Sequence, residues 1–427
     1  MRLRSQPFRA AAVVAASALI LAACGGTDSD SDSAGGEETA SEKPSEDTPK
    51  GDGTLVIGTL LPQTGDLAFL GPPEFAGVDL AVQEINKAGG VNGSPVKQVK
   101  ADSGDGTPNI APQETNNLLD AGADVVVGAA SSSVSLSVID KITGAGVVHF
   151  SPANTSTAFD TYDDKGLYFR TAPSDVLQGA VLANLVASDG FSNVAIMARQ
   201  DSYGEALANQ VEKVFTDQGG TVTDKVLYNA DAGQFNAEVD KIASNDPEAI
   251  VLIAFNETTK IIPALTAKGI GPQDKQIYFV DGNTADYSKD FNQGTLEGVK
   301  ATYPGAELSG DFRKRMLSVD KKLNDFTYGP ESYDAVVVSA LAATIAGDDS
   351  GEAIAKEIVG VTREGEKCTE YAKCVELIKA GDDIDYDGVS SPLEFNETGS
   401  PSAATIGIFK YKADNTYENV RYITGQV

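Results

Sequence analysis

The chain has 427 residues, an apolar fraction of 41% and a formal net charge of −29, from 33 basic against 62 acidic residues. That length exceeds what one ordinary domain needs, and the apolar fraction is enough for sizeable cores. The acidity excludes nucleic acid and anionic lipid as electrostatic partners, whereas a zwitterionic small molecule responds to local charges.

The first fifty residues stand apart. Arg2, Arg4 and Arg9 precede the apolar run 10–23. That run is too short to span a bilayer and ends in small residues, the pattern of an export signal. It closes on Leu21-Ala22-Ala23-Cys24, which resembles a bacterial lipobox. Residues 1–23 are therefore expected to be a lipoprotein signal peptide, with acylation of Cys24. Each buried methylene of an acyl chain contributes about 0.8 kcal/mol, so multiple acylation anchors stably. The expected location is the extracytoplasmic face of the cell membrane. Residues 24–52 hold mostly Ser, Thr, Gly, Asp and Glu, with no Leu, Ile, Val or aromatic residue. Such a segment cannot bury enough apolar area to offset chain entropy, so a disordered linker is expected, with a reach of roughly 30 Å.

From residue 53 apolar runs alternate with helical periodicity. Strands are predicted at 54–61, 96–102, 123–128 and 147–151, and helices at 73–88, 110–121 and 132–143. The rhythm restarts after residue 173, with helices at 176–188, 203–218, 235–244 and 258–269. Strands are predicted there at 194–199, 222–227, 249–254 and 276–281. Strands alternating with helices at this spacing predict parallel sheets covered by helices on both faces. After residue 303 helices follow one another at 310–323, 332–346 and 352–359. A loop-rich stretch then leads to strands near 405–410 and 417–422. If the late helices cover the first sheet and the last strands join the second, the chain crosses between two lobes more than once. The expected division is 53–172 plus 304–405 for the N-terminal lobe and 173–303 plus 406–427 for the C-terminal lobe. A cleft at the carboxyl ends of the strands is the expected ligand site.

Three strand ends carry candidate chemistry. Ser131-Ser132-Ser133 follows one strand and opens a helix, where hydroxyls and free amides favour a carboxylate; a plain helix cap is the alternative. Ser151-Pro152-Ala153-Asn154-Thr155 follows another and offers polar side chains and carbonyls to an ammonium, or forms only a turn. Asp281 ends a strand of the second half; it pairs with a ligand ammonium or is a solvated loop acid. Cys368 and Cys374, with five residues between them in an exported chain, are expected to form a disulfide, the alternative being two buried thiols. The segment Asp383-Ile384-Asp385-Tyr386-Asp387-Gly388 with Glu394 fits a calcium-loop pattern. Pro392 and Ser390 oppose it, and no helix clearly flanks it, so no metal or cofactor is expected. A single histidine, His149, lies inside a strand, and no glycine-rich nucleotide fingerprint occurs. The chain is therefore not expected to be an enzyme, a secreted hydrolase being the remote alternative.

Together, Ile57-Gly58-Thr59-Leu60-Leu61-Pro62-Gln63-Thr64-Gly65, Gly77-Val78-Asp79-Leu80-Ala81, Glu84-Ile85-Asn86 with Gly89-Gly90, Ser131-Ser132-Ser133, Ser151-Pro152-Ala153-Asn154-Thr155, Tyr203-Gly204-Glu205-Ala206-Leu207-Ala208 and Tyr333-Asp334-Ala335 resemble the type I periplasmic binding proteins of the leucine/isoleucine/valine-binding family. The similarity spans about residues 54–425 in order. It implies an α/β fold of two Rossmann-like lobes with parallel-type sheets, joined by a multi-crossover hinge. It also implies a substrate-binding lipoprotein of an ABC importer that delivers an amino acid, branched-chain type first, to permease subunits. A monomer is expected, anchored to the membrane by lipid and without nucleic acid. A ligand sensor of the same fold, for amides, urea or other small solutes, is the alternative.

The resemblance makes Ser132 the holder of the ligand carboxylate, and Ala153 and Thr155 the pair that accept from the ammonium, with Asn154 between them. It makes Tyr203 the tyrosine that closes over the ligand, Asp281 the acid that pairs with the ammonium, and Tyr333 a tyrosine of the hinge region. Phe255, or Asn256, stands where the leucine binders have a pocket tyrosine, and Leu70, beside Phe69, where they have an aromatic residue. These departures leave the amino-acid frame supported and the side-chain preference open.

Overall fold

The computed structural model describes residues 50–106 and 109–427. The expected signal peptide, Cys24 and most of the linker lie outside the described residues. The end of the linker and the start of the first lobe are tied down: the Gly51 amide donates to Asp348 at 3.0 Å, and the Gly53 amide to Asp349 at 3.0 Å.

The first lobe opens with β1 (Val56–Leu61), α1 (Gly71–Lys87), β2 (Lys97–Asp102) and α2 (Ala111–Asp120), followed by β3 (Val125–Gly128), α3 (Ser132–Gly144), β4 (Val148–Ser151) and β5 (Tyr168–Arg170). Its five strands are all parallel, in the order β2-β1-β3-β4-β5. Val125, Val126 and Val127 are fully buried, as strands covered on both faces require. The helix predicted from residue 73 begins two residues earlier, with Pro72 and Pro73 in its first turn, where a missing amide costs nothing.

The second lobe holds α4 (Asp175–Ser188), β6 (Asn193–Arg199), α5 (Ser202–Asp217), β7 (Thr221–Tyr228), α6 (Asn236–Ser244), β8 (Ala249–Ile253), α7 (Thr258–Ala267), β9 (Gln276–Phe279) and β10 (Lys300–Pro304). The chain then returns through α8 (Gly310–Val319), α9 (Gly329–Ala346), α10 (Gly351–Ile358), β11 (Glu366–Cys368), α11 (Tyr371–Ala380) and β12 (Ile384–Tyr386). Helices α8 and α9 pack on α1. Helix α9 is apolar nearly all round, with Val336, Val337, Val338 and Leu341 fully buried, so it fills the space between α1 and the first sheet. Each such side chain contributes roughly 1.5–3 kcal/mol of burial. The last strands, β13 (Ala403–Tyr411) and β14 (Tyr417–Gln426), complete a seven-stranded sheet in the order β14-β13-β10-β9-β8-β6-β7. It is parallel from β10 to β7, and β13 and β14 add antiparallel strands at one edge. The chain thus passes between the two sheets three times, after β5, after β10 and before β13.

Five short elements carry no clear periodicity and were not expected: β5, β10, β11, β12 and α11. Cys368, on β11, is joined to Cys374, on α11, with an S–S distance of 2.07 Å. The calcium-like segment contains β12 instead of a loop between helices, and the Lys367 ammonium stands 2.9 Å from both Asp385 and Asp387. No group of three or more acidic, histidine or cysteine side chains is arranged to hold a metal among the described residues. None of the described helices is long and apolar enough to cross a membrane.

Candidate functional site

The first-lobe side of the site is built where β3 and β4 end. Gly128 has φ +127°, and a Cβ there would collide with the Leu60 carbonyl, so only glycine lets the chain turn at this point. The loop beyond it is held from below. Ser151 Oγ donates to the Ala129 carbonyl at 2.7 Å, and Asn154 Nδ2 donates to the Ala129 and Ala130 carbonyls at 3.0 and 2.9 Å. Asn154 Oδ1 in turn accepts from the Tyr168 hydroxyl at 2.9 Å. Asn154 therefore braces the loop from behind and does not line the chamber. Ser131 precedes α3 and Ser132 opens it, so the Ser132 side chain and the first free amides of the helix lie together. Ser132 is 3% exposed, and its hydroxyl accepts only a long bond, 3.4 Å, from the Ser156 amide.

The second-lobe side is built where β6 and β9 end. Asp201 caps α5, its carboxylate accepting from the Tyr203 and Gly204 amides at 3.1 and 2.8 Å, which sets Tyr203 in the first helical turn. Asp281 follows β9 in a tight turn fixed by Asn283, whose side chain accepts from the Val280 amide at 2.8 Å. The Asp281 carboxylate accepts from the Tyr203 hydroxyl at 2.5 Å, the Tyr328 hydroxyl at 2.8 Å and Gln178 Nε2 at 3.1 Å. Burial pushes its pKa up, and these three hydrogen bonds work against that rise.

The two sides meet. Tyr328, from the first-lobe segment between α8 and α9, reaches Asp281 of the second lobe, and the Ser156 hydroxyl donates to the Ser202 carbonyl at 2.7 Å. Between them lies a small chamber. Its polar lining comes from Ser131, Ser132, Tyr203, Asp281 and Tyr328, and its apolar lining from Leu67, Leu70, Ala130, Ala153 and Phe255. The free volume is about 10 Å3, room for about one water. A solute larger than water does not fit this space as it stands. Two larger hollows, about 580 and 560 Å3, lie elsewhere, and neither includes any of these residues.

Of the residues singled out in the sequence, Ser132, Ala153, Tyr203, Phe255 and Asp281 line the chamber. Thr155 is fully buried just outside it, its hydroxyl without a hydrogen-bond partner. Tyr333 is elsewhere: its hydroxyl donates to Glu84 at 2.7 Å and accepts from Arg315 at 2.9 Å, within the first lobe. Tyr328 and Asp175 are the additions. Asp175 is fully buried in the first turn of α4, and neither carboxylate oxygen has a hydrogen-bond partner. The Thr155 hydroxyl stands beside it, outside hydrogen-bonding geometry. Burial, and then the neighbouring Asp281 charge, push the Asp175 pKa well up. His149 is buried against Tyr168, ring centres 5.2 Å apart, and burial lowers its pKa to about 4.

This chain matches the sequence profile of periplasmic binding proteins over residues 54–385. It is 26% identical over 362 residues to the chemotactic signal transduction system substrate-binding protein BasB of Halobacterium salinarum, covering 81% of this chain and 84% of that one. It is 27% identical over 324 residues to a leucine-, isoleucine-, valine-, threonine- and alanine-binding protein of Pseudomonas aeruginosa, covering 73% and 83%. In fold it is similar to the branched-chain amino acid transporter substrate-binding protein LivJ of Streptococcus pneumoniae in complex with isoleucine. There the TM-score is 0.71 at 22% identity, over 88% of this chain and 100% of that one.

Proposed function

Because the chain belongs to the periplasmic binding protein family, we propose that it captures an aliphatic α-amino acid between its lobes and presents it to the permease of an ABC importer. The observation that carries this reading is the pairing across one small space of an anion-favouring end with an acidic one. On one side stand Ser132 and the free amides opening α3; on the other stands the Asp281 carboxylate. A zwitterion satisfies both ends. Its carboxylate takes the Ser132 hydroxyl and helix amides, and its ammonium takes Asp281, with Asp175 and Thr155 close behind. Charge-assisted bonds of this kind are the strong ones.

Closure follows from differential binding. In the open form a ligand touches only the first lobe; closing adds Tyr203 and Asp281, and only those added contacts favour the closed state. The closed lobes are the surface a permease recognises. Acylation at Cys24 keeps the protein at the membrane, working as a monomer.

A ligand carrying a carboxylate alone, such as an aromatic acid, is disfavoured by the same geometry. It leaves Asp281 and Asp175, two buried acids, facing an anion or no cation. The test is a thermal-shift and calorimetric screen of amino acids, amides and aromatic acids on the purified protein. A ligand at 100 times its Kd raises stability by about 2.7 kcal/mol. The reading expects amino acids to raise Tm and aromatic acids to leave it unmoved; the reverse pattern contradicts it.

A further inference from the structure

Behind the second-lobe wall is a charged network that makes no contact with the chamber. Arg199, at the end of β6, is 6% exposed, and its guanidinium lies 3.4 Å from the centre of the Phe255 ring. Phe255 also stacks on Tyr203, ring centres 5.5 Å apart and planes 24° from parallel. Arg199 is itself fixed: Nε donates to Asp201 at 2.5 Å and Nη1 to Glu257 at 3.0 Å. Glu257, 1% exposed, accepts from the Tyr228 hydroxyl at 2.9 Å and, through its other oxygen, from the Phe255 amide at 2.9 Å. One ion pair therefore holds both the backbone and the ring of Phe255. Gly282 leaves no slack at the ring edge, since a Cβ there would lie 2.7 Å from a ring carbon.

The polar ends of the chamber sit on different lobes, so hinge opening makes room between them. The apolar end differs in one wall: opening carries Leu67 and Leu70 away with the first lobe, but Phe255, 3% exposed, stays clamped between Arg199, Glu257 and Gly282. A long aliphatic side chain meets a fixed ring there, and inserting extra methylenes against a fixed wall is costly. We infer that Arg199 is a positioning residue that holds Phe255 as the stop of the side-chain pocket, so that the site selects amino acids with short side chains, alanine over leucine. This rests on the reading that the site holds an α-amino acid.

The test is calorimetric titration of the purified protein with L-alanine, L-valine and L-leucine. One methylene in a tight apolar pocket changes affinity by about 10- to 200-fold, so alanine is expected to bind at least about 10-fold more tightly than leucine. Phe255→Ala moves that ratio toward leucine by a similar factor. Arg199→Lys keeps a positive charge for Glu257 and Asp201 and loses the planar stack on the ring. It is expected to move the ratio a few-fold the same way, a readout that a general loss of stability leaves fixed. A merely structural role for Arg199 weakens both ligands alike and leaves the ratio fixed. Leucine bound as tightly as alanine by the unaltered protein, or a ratio unmoved by both substitutions, overturns the inference while leaving amino-acid binding intact. Binding of no amino acid at all overturns the reading beneath it as well.

Discussion

Asp281→Asn separates ligand recognition from fold stability. The substitution keeps the shape of the side chain and removes its charge. In the unaltered protein the carboxylate is 5% exposed and receives three hydrogen bonds from protein groups. A hydrogen bond to a charged partner contributes about 1.5–3 kcal/mol, and each 1.4 kcal/mol is about tenfold in affinity. Loss of the ammonium pairing therefore weakens amino-acid binding by roughly 10- to 150-fold. Stability moves differently. Burial raises the Asp281 pKa, so its ionised form is a cost to the native state above the ordinary carboxylate range, and Asn removes that cost. Against this, Tyr328 loses its acceptor, about 1 kcal/mol. The two effects oppose each other, so Tm changes little. The pH dependence has a definite sign. As pH falls through the raised pKa, the unaltered protein protonates Asp281 and its affinity declines toward that of the variant, whose own affinity stays flat. Calorimetry across pH 4 to 8 reads both. Equal affinities of the two proteins at neutral pH refute the assignment of Asp281 to the ligand.

Glu331, buried on α9 at the second crossing, has its pKa raised to about 8, chiefly by burial. A raised carboxyl pKa means that stability is lost as pH climbs from the unfolded value to the folded one. Glu331→Gln therefore stabilises the fold increasingly between about pH 4.5 and 8, by a few kcal/mol at the upper end, seen as a Tm difference that widens with pH; parallel Tm curves for the two proteins contradict this. The double substitution Cys368→Ser, Cys374→Ser opens a small loop, for which chain entropy predicts a loss of roughly 2 kcal/mol. A reductant is expected to lower the Tm of the unaltered protein to match, and an unchanged Tm in both experiments argues that the bridge does not stabilise the fold. Cys24→Ala is expected to move the protein from the membrane fraction to the soluble one, and continued membrane association rules out the lipid anchor.

Much of this architecture is written in local pattern. Runs such as Val125-Val126-Val127 and Ile250-Val251-Leu252 are buried strands on composition alone, and Ser132 and Asp281 stand at strand ends where open sheets bind ligands. The missing parts lack such a pattern. Strands β5, β11 and β12 have three residues each, too few for a period to register. Tyr328 sits at φ 58° just before α9, in a conformation no sequence signal marks for tyrosine. Tyr333 is five residues further along, roughly 140° around the helix, so α9 turns it away from the chamber toward Glu84 and Arg315. Asp175 looks like an ordinary first-turn acid of a helix; only the packing of α4 under the Thr155 loop reveals it as a buried, unpaired carboxylate. In the same way Arg199 and Glu257 are 58 positions apart, and the pair arises only because β6 and β8 are neighbours.

The most direct measurement is a crystal structure of the protein grown with an amino acid that raises its Tm. The account predicts one molecule between the lobes, its carboxylate on Ser132 and the opening amides of α3, its ammonium on Asp281. A molecule bound elsewhere, or one in this chamber with its carboxylate turned toward Asp281, contradicts it.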